Sequence, residues 1–129
     1  MMRAFLFLNT LFLFDMIHTD PYLLRNMMAV ILQVDFPSPG PFGEQMAQMM
    51  QPLAQSINEE KGMLWKIWTE NAETQEAGGI YLFENQELAE KYLAMHSARL
   101  ESFGFKNIRS KIFNYNAELS HLNKATFLE

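Results

Sequence analysis

The chain reads as an α+β domain of the ferredoxin-like βαββαβ type, a four-stranded antiparallel sheet with two helices on one face. Three observations predict it. Apolar period switches from strand to helix and back in the order strand, helix, strand, strand, helix, strand. Gly62 to Glu84, GMLWKIWTENAETQEAGGIYLFE, is an aromatic hairpin whose polar middle has no apolar period. And 129 residues suit one domain with a real core.

Taken in order, Ala29 to Phe36 (AVILQVDF) is short and β-branched, which favours a strand. Pro37, Pro39, Gly40 and Pro41 then break it. Phe42, Met46, Met49, Met50, Leu53 and Ile57 recur at helical spacing, predicting an amphipathic helix from Phe42 to about Glu60. Pro52 inside it removes a backbone hydrogen bond, so a kink or break is expected near Gln48 to Gln51, and Gly62 ends the segment. Gly62 to Glu70 and Gly79 to Glu84 are the hairpin strands, with Asn71 to Gly78 as the turn. Asn85 or Gln86 opens a second helix that runs to about Phe103 and stops at Gly104. Phe105 to Asn114 is the last strand, and Ala117 to Ala125 can add a short helix.

On the second helix, Leu88, Tyr92, Met95, Arg99 and Phe103 fall in one narrow sector, with His96 at its edge. Arg99 therefore points where a core belongs. Either it lies along apolar surface with its guanidinium in water, or it sits in a partly buried pocket where it can pair with an anion. His96 has the same two readings, a hydrogen-bonded core residue or a ligand or base. Trp65 and Trp68 are each costly to place without packing and a partner for the indole N–H. Alternation puts them on opposite faces of their strand, so one of them reaches any single cavity.

In the first strand Val30, Leu32, Val34 and Phe36 share a side, while Ile31 makes the other side apolar too, beside Gln33 and Asp35. With helices on one side only, a second copy of the chain is the simplest cover, which predicts a symmetric homodimer packed sheet to sheet.

A net charge of −5 and a pI near 5.2, with no run of Lys and Arg, argue against nucleic acid or an anionic membrane as partner. Cysteine is absent, which excludes disulfides, thiolate metal sites and a cysteine nucleophile. His18, His96 and His121 are scattered, and there is no phosphate-binding glycine loop, HExxH or dinucleotide fingerprint. No metal site is expected. Ten methionines and eleven phenylalanines suit either a plastic apolar cavity or an adaptable core.

The first 27 residues stand apart. Ala4 to Phe14 (AFLFLNTLFLF) is too short to span a bilayer, and no small-residue cleavage site follows it. Arg3 and Arg25 balance Asp15 and Asp20, so the net charge belongs to residues 28–129. The preferred reading is an extension from an upstream start, with the domain beginning at Met27 or Met28 and a cytoplasmic location. A chain starting at Met28 is expected to fold like the long one.

Five motifs in order, Gly40-Pro41-Phe42-Gly43, Pro52-Leu53-Ala54, Leu64 to Glu70 (LWKIWTE), Glu76 to Phe83 (EAGGIYLF) and His96 to Leu100 (HSARL), closely resemble the YdhR-type mono-oxygenases. The resemblance covers Met28 to about Ala125. It implies the dimeric α+β barrel superfamily that includes antibiotic biosynthesis mono-oxygenases. It also implies oxidation of a small phenolic compound without metal or organic cofactor, in an apolar cavity between sheet and helices, as part of aromatic compound metabolism. In that picture Arg99 stabilises a phenolate and His96 takes or returns a proton, while Trp65, Trp68, Tyr81, Tyr92, Phe42 and Met46 contact the substrate. Two other readings use the same cavity: a small-molecule binding protein that performs no reaction, and a haem-binding relative with His96 as axial ligand.

Overall fold

The computed structural model describes Asp20 and residues 27–128. Apart from Asp20 and Met27, the separate segment expected over residues 1–27 lies outside the described residues. Four strands, β1 (Val30–Pro37), β2 (Met63–Asn71), β3 (Glu76–Phe83) and β4 (Arg109–Phe113), form one sheet in the order β2-β3-β1-β4, antiparallel throughout. The helices are α1 (Gly43–Ile57), α2 (Gln86–Ser102) and the short α3 (Ala117–Leu122). This is the expected ferredoxin-like α+β arrangement.

The burial pattern of β1 states the architecture in one strand. Val30, Leu32, Val34 and Phe36 are all buried, whereas Ile31, Gln33 and Asp35 are not. The first set faces the helices, opposite Phe83, Tyr81, Gly79 and Ala77 of β3. With Ile57 of α1 and Ala89, Tyr92 and Leu100 of α2 these residues make the core. On the second face of the sheet Ile31 stands opposite Leu82 and Ile80 opposite Ile67, and among the described residues this face carries no long helix.

Register in the hairpin decides which β2 side chains go inward. Lys66 stands opposite Tyr81 and Trp68 opposite Gly79, so both face the helices; Trp65 stands opposite Leu82 and faces the other way. One irregularity interrupts β2: the pairing steps from Met63–Phe83 to Trp65–Leu82, leaving Leu64 as a bulge. Met63 consequently packs against the core while Leu64 is half exposed. The turn is fixed by Asn71, whose Oδ1 accepts from the backbone N–H of Glu73 and Thr74, each at 3.0 Å.

Several boundaries differ from the sequence expectation. β3 begins at Glu76, because Glu76, Ala77 and Gly78 are strand residues and not part of the turn, while Gly79 is in the strand as expected. A side chain at Gly78 would overlap the backbone of Val34 and Asp35 in the neighbouring strand. α1 runs unbroken through the exposed Pro52 from Gly43 to Ile57, so the expected break near Gln48 to Gln51 is not present. One missing N–H costs a single bond, which the turns on either side tolerate. The final strand is shorter than predicted, and the last helix ends at Leu122, not Ala125.

On α2, Asn85 caps the start by accepting from the Leu88 N–H at 2.9 Å. The buried face is Ala89, Tyr92, His96 and Leu100, while Met95 and Phe103 are exposed and Arg99 is partly so. The inward sector is thus rotated from the predicted one. His96 is at its centre and Arg99 at its margin, because small Ala89 and branched Leu100 can approach the sheet and the bulky Met95 and Phe103 stay at the rim.

Candidate active site

Between α1 and the helix-facing side of the sheet lies an apolar cavity of about 50 Å³. Its floor is Val34, Phe36, Gly79 and Tyr81, its roof Met46, Met50 and Leu53 of α1, and Trp68, Lys66 and His96 close one end. Among the described residues no Asp or Glu lines it. α1 holds a single buried residue, Ile57, against four on α2, so α1 acts as a roof over space while α2 acts as core. Its N-terminus is tied to β2, where Glu70 Oε1 accepts from the Gly43 N–H at 2.9 Å.

Outside this roof lies a wider groove of about 660 Å³, lined in part by Met46, Met50, Trp68, Glu44 and Glu70. Met46, Met50 and Trp68 line both spaces and form the wall between them.

The polar end of the cavity is built from three elements. His96 is 3% exposed, stacked on Tyr92 with ring centroids 5.0 Å apart and set edge-on to Tyr81 at 6.3 Å. Arg99, one turn on, donates to His96 Nδ1 from Nε at 3.3 Å and from Nη2 at 2.9 Å. Guanidinium nitrogens only donate, so Nδ1 must carry the lone pair and the ring proton sits on Nε2. Burial, with the charges of Lys66 and Arg99, lowers the His96 pKa to about 3, so the ring is neutral near pH 7. Tyr92 donates from its hydroxyl to that of Tyr81 at 3.1 Å, and burial raises both phenols above their ordinary value.

Lys66 was not singled out in the sequence. Its ammonium lies 3.4 Å from the centroid of the Trp68 ring and 4.8 Å from that of Tyr81. Burial first, and the charge of Arg99 second, lower its pKa to about 7. Gly79 makes this path possible, since a Cβ there would stand 2.7 Å from Lys66 Cε. A signal was present in the sequence: Lys66 is two residues from Trp68 on a strand and so shares its face.

Of the residues picked from sequence, His96, Trp68, Tyr81 and Met46 line the cavity together. Arg99 and Tyr92 lie behind the lining, bonded to His96 and Tyr81 respectively. Phe42 precedes α1, its ring over Gly40, and is not among the lining residues. Trp65 is on the opposite side of the sheet, edge-on to Phe127 at 5.5 Å, with its indole N–H buried and unbonded. Among the described residues no three His, Cys, Asp or Glu side chains are grouped as a metal site, and no helix is long and apolar enough to cross a membrane.

Residues 31–126 match the protein family described as "Putative mono-oxygenase ydhR". The chain belongs to that family. No curated protein matches it by sequence. Among solved structures, a protein from Deinococcus radiodurans described as "a putative antibiotic biosynthesis monooxygenase" is similar at a TM-score of 0.50 and 13% identity, over 67% of this chain and 92% of that one. That likeness supports the fold alone. A protein of unknown function from Nitrosomonas europaea, NE2512, aligns at a TM-score of 0.49 with 14% identity over 71% and 93% of the two chains. A conserved protein from Methanosarcina mazei Go1 aligns at 0.48 with 12% identity over 72% and 98%.

Proposed function

We propose that this member of the ydhR family is a mono-oxygenase that oxidises a small phenolic compound without metal or organic cofactor, in the cavity under α1. The observation that carries this reading is an apolar cavity with one basic end and no carboxylate in its lining. Such a space favours a flat apolar molecule with one ionisable oxygen, because Lys66 and Arg99 stabilise an anion there in a poorly solvated setting. The electron-rich anion is then its own reductant toward oxygen. One oxygen atom enters a ring carbon; the other leaves as water, taking the hydrogen of that carbon and the phenol proton.

In this scheme Arg99 acts through His96, fixing the Nε2–H form, and adds positive charge behind it. Trp68 and Tyr81 offer ring faces for stacking, and Met46 shapes the roof. A cavity of about 50 Å³ is smaller than the few hundred Å³ that drug-sized ligands occupy. Entry therefore requires Met46 and Met50, each an adaptable unbranched side chain, to move toward the outer groove. A haem is far larger than this cavity, which disfavours that reading.

The test is quinone formation from anthrol-like phenols under oxygen. Turnover that falls about a hundredfold or more in Arg99→Ala or His96→Ala supports the scheme. Saturable binding with no product, unchanged in Arg99→Ala, assigns the cavity instead to a binding protein without chemistry.

The same reading includes a symmetric homodimer through the other sheet face, in the cytoplasm. Ile67 and Phe113 are respectively 46% and 44% exposed on that face, which supports a second copy as its cover. Ile67→Glu is expected to halve the mass measured by light scattering; an unchanged mass rejects this interface.

A further inference from the structure

Lys66, at the basic end of the cavity, can do more than stabilise an anion. Lys66 has no carboxylate beside it in the cavity lining, and it reaches inward only because Gly79 leaves its path clear. A lysine on a strand ordinarily extends its ammonium to water. Here the ammonium is folded back over Trp68 and Tyr81 in the cavity wall, held, among the described residues, by ring faces and not by an ion pair.

We infer that Lys66 is the proton acceptor of this site, and that the ligand it serves is an aromatic acid, a phenol or enol, bound as its anion. The step is a simple transfer. The ligand O–H bond breaks, its proton goes to the neutral Lys66 amine, and the resulting ammonium pairs with the oxygen anion beside Trp68. No other co-reactant is needed. The inference deepens the oxygenase reading by naming the base and the ionisation state of the ligand.

The neighbouring groups favour Lys66 over the alternatives. His96 on α2 has its Nδ1 lone pair occupied by Arg99. Tyr81 on β3 and Tyr92 on α2 are bonded to each other and hold their protons tightly. The part of α1 over the cavity contributes Met46, Met49, Met50 and Leu53, and β1 contributes Val34 and Phe36, none of which titrates. Among the described residues Arg99 is the charge that acts on Lys66, where it disfavours a second cation, while Glu60 acts on Tyr92. A substantial fraction of the amine is thus free near neutral pH, which is the state a base requires.

The probe is para-nitrophenol, whose anion and neutral form have distinct absorption bands, titrated with the full chain over a pH series. The wild type is expected to lower the pKa of the bound phenol by at least about one unit. Lys66→Met, nearly isosteric and with its fold checked by circular dichroism, is expected to lose that shift. Gly79→Ala, which crowds Lys66 without removing it, is expected to reduce it. Lys66→Arg keeps the positive charge and should retain anion binding, yet lower oxidation of an anthrol about a hundredfold or more, because arginine does not accept the proton.

An unchanged shift in Lys66→Met overturns the inference, as does absence of binding to the wild type. Full oxidation by Lys66→Arg overturns the assignment of the base while leaving the oxygenase reading intact. A Lys66-dependent shift with no turnover of any phenol supports the proton acceptor and rejects the oxygenase.

Discussion

The two faces of the sheet use the same aromatic hairpin for opposite ends. On the helix side, Trp68 lies across from Gly79, so there is open space beside its ring and Lys66 fills part of it. On the other side, Trp65 lies across from buried Leu82 and meets Phe127 of the C-terminal segment, so its surroundings are apolar side chains. Two tryptophans three positions apart therefore differ in what surrounds them more than in how deeply they sit. The lesson is that a ring becomes a candidate ligand platform when the opposite position is empty and a charge is brought to its face.

That contrast can be broken by substitution. The largest expected effect is on the core beneath the helices: Leu32→Ala removes a wholly buried side chain and should cost about 2–5 kcal/mol in urea unfolding. Ile31→Ala, its neighbour on the other face, should cost about 1 kcal/mol or less in the monomer. Equal losses would show that both faces are buried alike. Next, Trp68→Ala should weaken binding of a flat phenol tenfold or more, about 1.4 kcal/mol, with Trp65→Ala leaving it unchanged. Calorimetric titration of both variants checks this, and a reversed order would place the ligand on the wrong face.

A pH experiment sharpens the comparison further. Lys66 titrates at about 7 in the fold against 10.5 when unperturbed. Between those values the unfolded chain holds a proton that the folded chain has released, so stability rises with pH across that window and is lowest, on this account, at and below pH 7. Lys66→Met should therefore stabilise the protein at pH 7 by about 1–2 kcal/mol, allowing for partial exposure, and should flatten the rise between pH 7 and 10.5. Thermal melts over that range provide the check. The smallest effect belongs to the outer surface of α2, where Lys91 pairs with Glu87 at 3.3 Å; Lys91→Ala should cost about 0.3–0.5 kcal/mol and vanish in high salt.

Much of the fold was legible because period and punctuation agreed: β1, the hairpin and α2 with its Asn85 cap follow from alternation, turn chemistry and capping. What was not legible depended on neighbours in space. Gly78 looks like a turn residue until the backbone of β1 is placed against it. The inward sector of α2 was offset because a helical wheel weighs Met95 and Phe103 by hydrophobicity, whereas the sheet selects Ala89 and His96 by fit. The site was half legible. His96, Trp68, Tyr81 and Met46 converge as their positions suggested, but Lys66 between two tryptophans looks like a solvated strand lysine until the gap at Gly79 is known.

The bulge at Leu64 has a consequence for how this site can vary. Beyond it, register is set by the turn at Asn71, and ahead of it by the approach from α1. The extra residue works as a slip joint: a change of one residue in the α1–β2 connection is absorbed at Leu64 and does not reach Lys66 and Trp68. The connection leaving the roof can thus change in length while the floor of the cavity keeps its alignment.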